Sequence, residues 1–203
     1  MAISIIVAHP RTGSFCHALA ERAQQRLVKL GHEVRMHDLY VEGFEPLVDA
    51  EELTHRVTFD PLVERHCAEI SRAEGIVIVH PNWWSQPPAI LKGWIDRVMR
   101  PGVAYRFAEE DLTQSKPIGA LVASAVLVVN TSDMPRAVEE KLIGNPLETI
   151  WARGIFALCG APNVQRVLCA PLRGSTDEQR AAWLDEVAKT VQHCFPPQQI
   201  QST

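Results

Sequence analysis

What the sequence lacks sets its limits first. No apolar run approaches the roughly 18 residues needed to cross a bilayer, so no membrane-inserted helix is expected. The five cysteines, Cys16, Cys67, Cys159, Cys169 and Cys194, are odd in number and scattered, with no C-x-x-C among them. That pattern speaks against a disulfide framework and a cysteine zinc site, and leaves buried thiols as the default. Formal charge is only −4 with the two signs mixed, so the concentrated basic face required for nucleic acid is missing. Neither the triphosphatase pattern G-x-x-x-x-G-K-S/T nor the dinucleotide pattern G-x-G-x-x-G occurs. There is no internal repeat and no low-complexity segment. A basic region followed by an apolar signal core is absent near Met1, from which a cytoplasmic location is expected.

What is present suits one α/β domain over residues 1–203, with a loose tail from about residue 196. Hydrophobic residues make up 46% and charged residues 22%, ordinary values for a packed globular chain. Residues 3–8, Ile-Ser-Ile-Ile-Val-Ala, predict a buried strand, and Ala18, Leu19, Ala23, Leu27 and Leu30 recur at helical spacing until Gly31. A second strand is expected over 32–38, with Val34, Met36 and Leu39 on one face, followed by loop to about residue 50. Asp60-Pro61 opens a helix that turns Leu62, Val63, Cys67, Ile70 and Ala73 inward, before a third strand begins at Gly75. Ile118–Val129 reads as a fourth strand region, 135–159 as helix broken at 144–146, 164–169 as a fifth strand, and Thr176 or Asp177 as the cap of a last helix. Strands that alternate with helices imply a parallel sheet covered on both faces. Five such strands suit the order 2-1-3-4-5, in which ligands sit beyond the strand ends where the winding reverses, here near His9 and His80.

The densest segment runs from His80 to Val98, H-P-N-W-W-S-Q-P-P-A-I-L-K-G-W-I-D-R-V. Pro81, Pro87 and Pro88 hold a loop out of helix and strand, and Trp83 and Trp84 within it offer flat aromatic surface. Pro88 suits the first position of the helix carrying Ile90, Leu91, Trp94, Ile95 and Val98. Near the N-terminus, His9-Pro10-Arg11-Thr12-Gly13-Ser14-Phe15-Cys16 leads straight into a helix, where open amides and the helix dipole favour phosphate and Ser14 or Thr12 adds a hydroxyl. A bare N-cap is the competing reading of Ser14. His9 and His80 lack the third ligand that a zinc site requires, and no metal is expected.

The segment P-A-I-L-K-G-W-I-D-R-V, with A-H-P-R-T-G-S-F, Asp38-Leu39-Tyr40 and Ala104-Tyr105, resembles the flavodoxin-like NAD(P)H:quinone oxidoreductases, the DT-diaphorase family, over roughly residues 3–170. The resemblance implies a flavodoxin-like fold, a homodimer with sites between subunits, and a flavin phosphate on the first loop at His9, Arg11, Thr12, Ser14, Phe15 and Cys16. It implies a flavin ring against Pro81, Asn82, Trp83, Trp84 and Ser85, with Asn130, Thr131 and Ser132 at its pyrimidine end. The expected cofactor is FMN, with FAD the alternative, because the long C-terminal extension of the larger, FAD-binding relatives is lacking. The tyrosine and histidine that serve hydride transfer in the family have no convincing counterparts in V-V-N-T-S-D-M-P-R; Tyr105 and Asn130, which could give a flat donor and acceptor polar contacts, are the candidate catalytic residues. The expected activity is hydride transfer from NADH or NADPH to quinone-like, nitro or azo acceptors by a ping-pong route. A regulatory subunit of a potassium efflux system and a one-electron flavodoxin carrier are the alternatives.

Overall fold

The computed structural model describes residues 1–55, 60–108 and 116–197. In chain order these form β1 (Ala2–Val7), α1 (Phe15–Lys29), β2 (Glu33–Asp38), α2 (Ala50–His55), α3 (Pro61–Ile70), β3 (Gly75–Pro81), α4 (Ala89–Val98), β4 (Tyr105–Arg106), β5 (Ile118–Gly119), β6 (Ala125–Thr131), α5 (Arg136–Ile143), α6 (Pro146–Glu148), β7 (Val164–Cys169) and α7 (Asp177–Cys194). α6 runs on into a π-helical stretch over Thr149–Phe156. The main sheet is parallel, in the order β2-β1-β3-β6-β7, which is the expected 2-1-3-4-5 arrangement once the short β4-β5 ribbon is set aside.

Side chains of the central strands alternate between two cores, as the period of two in a strand dictates. Ile6, Ile76, Ile78, Val126 and Val128 meet α3, α4 and the π-helical stretch through Val63, Ile70, Trp94, Trp151 and Phe156. Ile3, Ile5, Val7, Val77, Val79, Leu127 and Val129 meet α1 and α7 through Leu19, Ala23, Leu27, Val187 and Val191. Helices therefore cover both faces. Local signals act as expected at several ends: Asp60 caps α3 by accepting from the Leu62 and Val63 amides, and Thr176 and Gln179 form a reciprocal capping box on α7.

Three readings of the sequence are corrected. Leu39 does not share the face of Val34 and Met36: the register sets those two beside Ile3 and Ile5 on the α1 side, with Met36 left exposed, whereas Leu39 lies past the strand in the opposite core. β2 is an edge strand, so its pattern is diluted by residues that face water. The apolar run from Ile118 is not one strand either; Ile118–Gly119 pairs with Tyr105–Arg106, and only Ala125–Thr131 joins the sheet. Gly119 packs so closely on Gly160 and Cys159 that a β-carbon would come within 2.2 Å of the Gly160 nitrogen, which pins the detour. Third, Pro88 occupies the N-cap and not the first helical position. The expected tail lies mostly outside the described residues, with Phe195 fully buried just before it.

Candidate functional site

The carboxyl ends of β1, β3 and β6 lie side by side, and three loops leave them. The first turns at Arg11–Ser14, where the Ser14 amide bonds the Arg11 carbonyl and Gly13 takes φ +69°. Ser14 stands at the N-cap of α1 without capping it. Its hydroxyl instead lies 2.8 Å from Nδ1 of His17, whose Nε2 lies 2.7 Å from Oδ2 of Asp38 at the end of β2. Oδ1 of that carboxylate accepts from the Tyr40 and Val41 amides, which fixes it. With the Ser14 side chain so committed, no acceptor among the described residues meets the amides of Thr12, Gly13, Phe15, Cys16 and His17. Open amides at the positive end of a 15-residue helix make an anion site.

The second loop is a two-residue turn. Trp83 and Gln86 exchange both backbone hydrogen bonds, at 3.1 and 3.0 Å, around Trp84 (φ +52°) and Ser85 (φ +61°). Positive φ at both central positions is the type I′ geometry that favours Asn-Gly, so a tryptophan there is strained. Trp84 is nevertheless 98% exposed, and no packing of its ring accounts for the strain. Trp83 is exposed but tilts toward His9, ring centres 6.3 Å apart, which brings the first two loops together.

The third loop is stitched to the second by the Asn82 amide, 2.7 Å from the Thr131 carbonyl. Asn82, Trp84, Ser85, Ser132, Asp133, Met134, Ile143 and Pro146 line a cleft of about 640 Å³. Glu139, on α5 and almost wholly buried, accepts from Asn82 Nδ2 at 3.1 Å. That bond aims the amide so that its buried Oδ1 has no partner among the described residues. A buried acceptor without a donor costs about 1–3 kcal/mol unless a ligand supplies one.

Beneath the loops runs a chain of polar side chains. Fully buried His80 receives a bond from Trp151 Nε1 at 3.0 Å and meets Asn130 at 2.9 Å, and Arg166 donates to Asn130 Oδ1 at 2.6 Å. Burial depresses the His80 pKa to about 4, so its imidazole is neutral. Burial lowers His9 as well, a shift that the charges of His17 and Arg11 reinforce, and it pushes the Cys16 thiol up to about 11.

The structure thus brings together His9, Arg11, Thr12, Ser14, Trp83, Asn82, Ser85 and Ser132 around the loops, with Trp84 at the rim. Cys16 and Thr131 sit below, buried and 3.4 Å apart, Pro81 is buried at the strand end, and Phe15 turns away to pack on Trp183. Asn130 is a departure from the expected role: fully buried and bonded on both sides, it supports the loops from within and presents no atom to a substrate. Tyr105 departs too. It lines a separate cavity of about 600 Å³ with Ile95, Met99, Arg100 and Phe107, away from the Trp84 cleft of the same chain. His17, Glu139 and Arg166 escaped the sequence reading; only His17 left a signal, its three-residue spacing from Ser14 on a helix.

A second histidine cluster lies on the other side of the sheet. His37 places Nδ1 3.0 Å from Glu42 and Nε2 2.6 Å from Glu69, and His66 Nε2 lies 2.9 Å from Glu42. His37, Glu42 and His66 lie close enough together to share an ion. The protons argue otherwise. Trp94 donates to His66 Nδ1 at 2.9 Å, which fixes the proton on Nε2, the nitrogen a metal would need.

The sequence profile of the Flavodoxin_2 family, described as a flavodoxin-like fold, matches residues 1–192. An uncharacterized NAD(P)H oxidoreductase of Haemophilus influenzae is 30% identical over 195 residues, covering 93% of each chain. The structure of an NAD(P)H:quinone oxidoreductase from Methanothermobacter marburgensis superposes with a TM-score of 0.83 at 23% identity, over 95% of this chain and 96% of that one. An FMN-dependent NADH-azoreductase from Bacillus anthracis, solved with FMN, gives 0.75 at 16% identity, over 95% and 99%. Fold, loop geometry and sequence agree, and the chain belongs to the Flavodoxin_2 family of flavodoxin-like fold, among the NAD(P)H oxidoreductases that its motifs resemble.

Proposed function

We propose that the chain binds FMN across the three loops and passes two electrons from NADH or NADPH to quinone-like, nitro or azo acceptors, in ping-pong order, as a cytoplasmic homodimer. The observation that carries the reading is the pairing of an open-amide anion site at the start of α1 with an outward-facing aromatic turn beside it. These are the two halves of a flavin mononucleotide, a phosphate and a flat ring system.

The residues fit the group in kind. Amides of Thr12, Gly13, Phe15, Cys16 and His17 offer donors to phosphate oxygens, and Trp84 and Trp83 offer ring faces. The unpartnered Asn82 Oδ1 offers an acceptor to an N–H on a ring edge, which the amide and ureide end of a flavin supplies. When bound, FMN supplies reversible two-electron chemistry, which no side chain here replaces. The protein's share is to bind and orient. Neutral His80 adds no charge of its own beneath the site, and the Asn82–Glu139 bond holds the acceptor in place. Tyr105 enters this reading only through the second subunit, since one chain keeps it apart from the cleft.

The test is spectroscopic. Purified protein should carry a flavin band that bleaches when NADH or NADPH is added without oxygen and recovers on addition of a naphthoquinone, with parallel double-reciprocal plots for donor and acceptor. A flavin that stays oxidised for minutes under an excess of both nicotinamides overturns the catalytic reading.

A further inference from the structure

Ser14, His17 and Asp38 form a relay whose direction is set by one proton. The Asp38 carboxylate accepts only, so His17 Nε2 donates to it at 2.7 Å in either charge state. With a neutral ring, Nδ1 is then an acceptor, and Ser14 must give its single hydroxyl hydrogen to it across 2.8 Å. The Ser14 oxygen would turn only lone pairs toward an anion at the open amides. With a charged ring the bond reverses: Nδ1–H donates to Ser14 Oγ, and the Ser14 hydrogen is released toward the anion.

We propose that binding of the flavin phosphate at the start of α1 is coupled to uptake of one proton by His17, which converts Ser14 from an acceptor into a donor. The inference rests on the FMN reading above. The proton comes from solvent to Nδ1, no covalent bond changes, and Asp38, held by the Tyr40 and Val41 amides, balances the imidazolium that results. Other charges face the pair as well. From the first loop come His9, whose ring centre is 6.2 Å away, and Arg11, while Glu21 lies one turn along α1. His9 is the rival site for the proton, but it accepts at Nδ1 from the Arg11 amide and has no carboxylate partner among the described residues.

Calorimetric titration of the apoprotein with FMN, in two buffers of different ionisation enthalpy near pH 8, counts protons directly. At that pH the phosphate is already a dianion, since its second pKa is about 6, so any uptake belongs to the protein. The expected result is close to one proton per FMN and a Kd that rises up to about tenfold per pH unit above the transition, the slope of a single linked proton. His17→Gln should bind with no proton uptake and a flat pH profile, His9→Gln should keep the uptake, and riboflavin, which has no phosphate, should bind without it. Tight FMN binding with no uptake between about pH 7 and 9 overturns the coupling, as does uptake that survives in His17→Gln and vanishes in His9→Gln. Absence of FMN binding at every pH, with a cooperative thermal unfolding transition to show the apoprotein is folded, would instead overturn the flavin reading and the coupling with it.

Discussion

His37 and Asp38 are neighbours on β2, yet they enter two hydrogen-bonded networks of opposite kinds, one on each side of the sheet. On the α3 side, His37 is pinned between Glu42 and Glu69, and His66 between Glu42 and Trp94. Both ring nitrogens of each histidine are engaged, and the cluster has nothing left to offer a ligand. On the α1 side, the chain Asp38–His17–Ser14 ends in a hydroxyl beside open amides. A closed network stabilises, whereas one with a free end can respond to what arrives. The difference distinguishes the two histidines more sharply than burial does, since His37 is 8% and His17 13% exposed.

The largest effect should come from breaking the closed network. His37→Ala removes the partner of two carboxylates and should cost about 3 kcal/mol of stability, read as a lower urea midpoint at unchanged slope, with FMN affinity unaltered in the fraction that folds. A similar loss in flavin affinity would erase the distinction drawn between the two sides.

Acid should expose a third network, centred on the fully buried His80. His80 has a folded pKa of about 4 against 6.5 unfolded. The unfolded chain therefore binds the proton first: the stability due to neutral His80 is fully present above about pH 6.5, falls as pH drops through the window down to about 4, and changes no further below it. The full loss is about 3 kcal/mol, and a chemical-denaturation series from pH 7 to 4 should show it shrink in His80→Gln.

Ser14→Ala tests the open end. Since the hydroxyl does not cap α1 but bonds His17, stability should fall by only about 0.5–1.5 kcal/mol, whereas loss of a bond to a charged phosphate, about 1.5–3 kcal/mol, should weaken FMN binding by one to two orders of magnitude. Unchanged affinity would leave Ser14 as a spectator. The smallest effect belongs to the turn: Trp84→Gly should relieve the positive φ and raise stability by about 0.5–1 kcal/mol while flavin affinity falls several-fold. A destabilised Trp84→Gly protein would mean that the ring packs on something the single chain does not contain.

Periodicity carried the fold because the central strands are buried on both sides and the helices have one apolar face; the β3 run Ile76–Val79 and the α4 spacing are as readable in the chain as in the structure. It failed where burial is one-sided or interrupted, at Met36 on the edge strand and along Ile118–Val129, since hydrophobicity cannot say where a continuous apolar run leaves the sheet. In the site, the loops were readable from Gly13, Ser14 and the proline-flanked tryptophans. The chain did not reveal that Asn130 faces inward, because Arg166, which holds it there, lies 36 residues away. Nor did it reveal that Ser14 forgoes capping, because the competing partner depends on Asp38 being delivered by a different strand.

β2 pairs His37 with Ile6 and Asp38 with Val7. A slip of one residue along β1 would send His37 toward α1 and Asp38 toward α3, dismantling both networks at once, since each step along a strand exchanges faces. Much of the strand looks permissive, with Glu33, Arg35 and Met36 exposed at the sheet edge. Its composition is therefore free to drift while its length is not: substitutions at 33, 35 or 36 should be tolerated in a library, and single-residue insertions or deletions between 33 and 38 should be lethal to fold and site together.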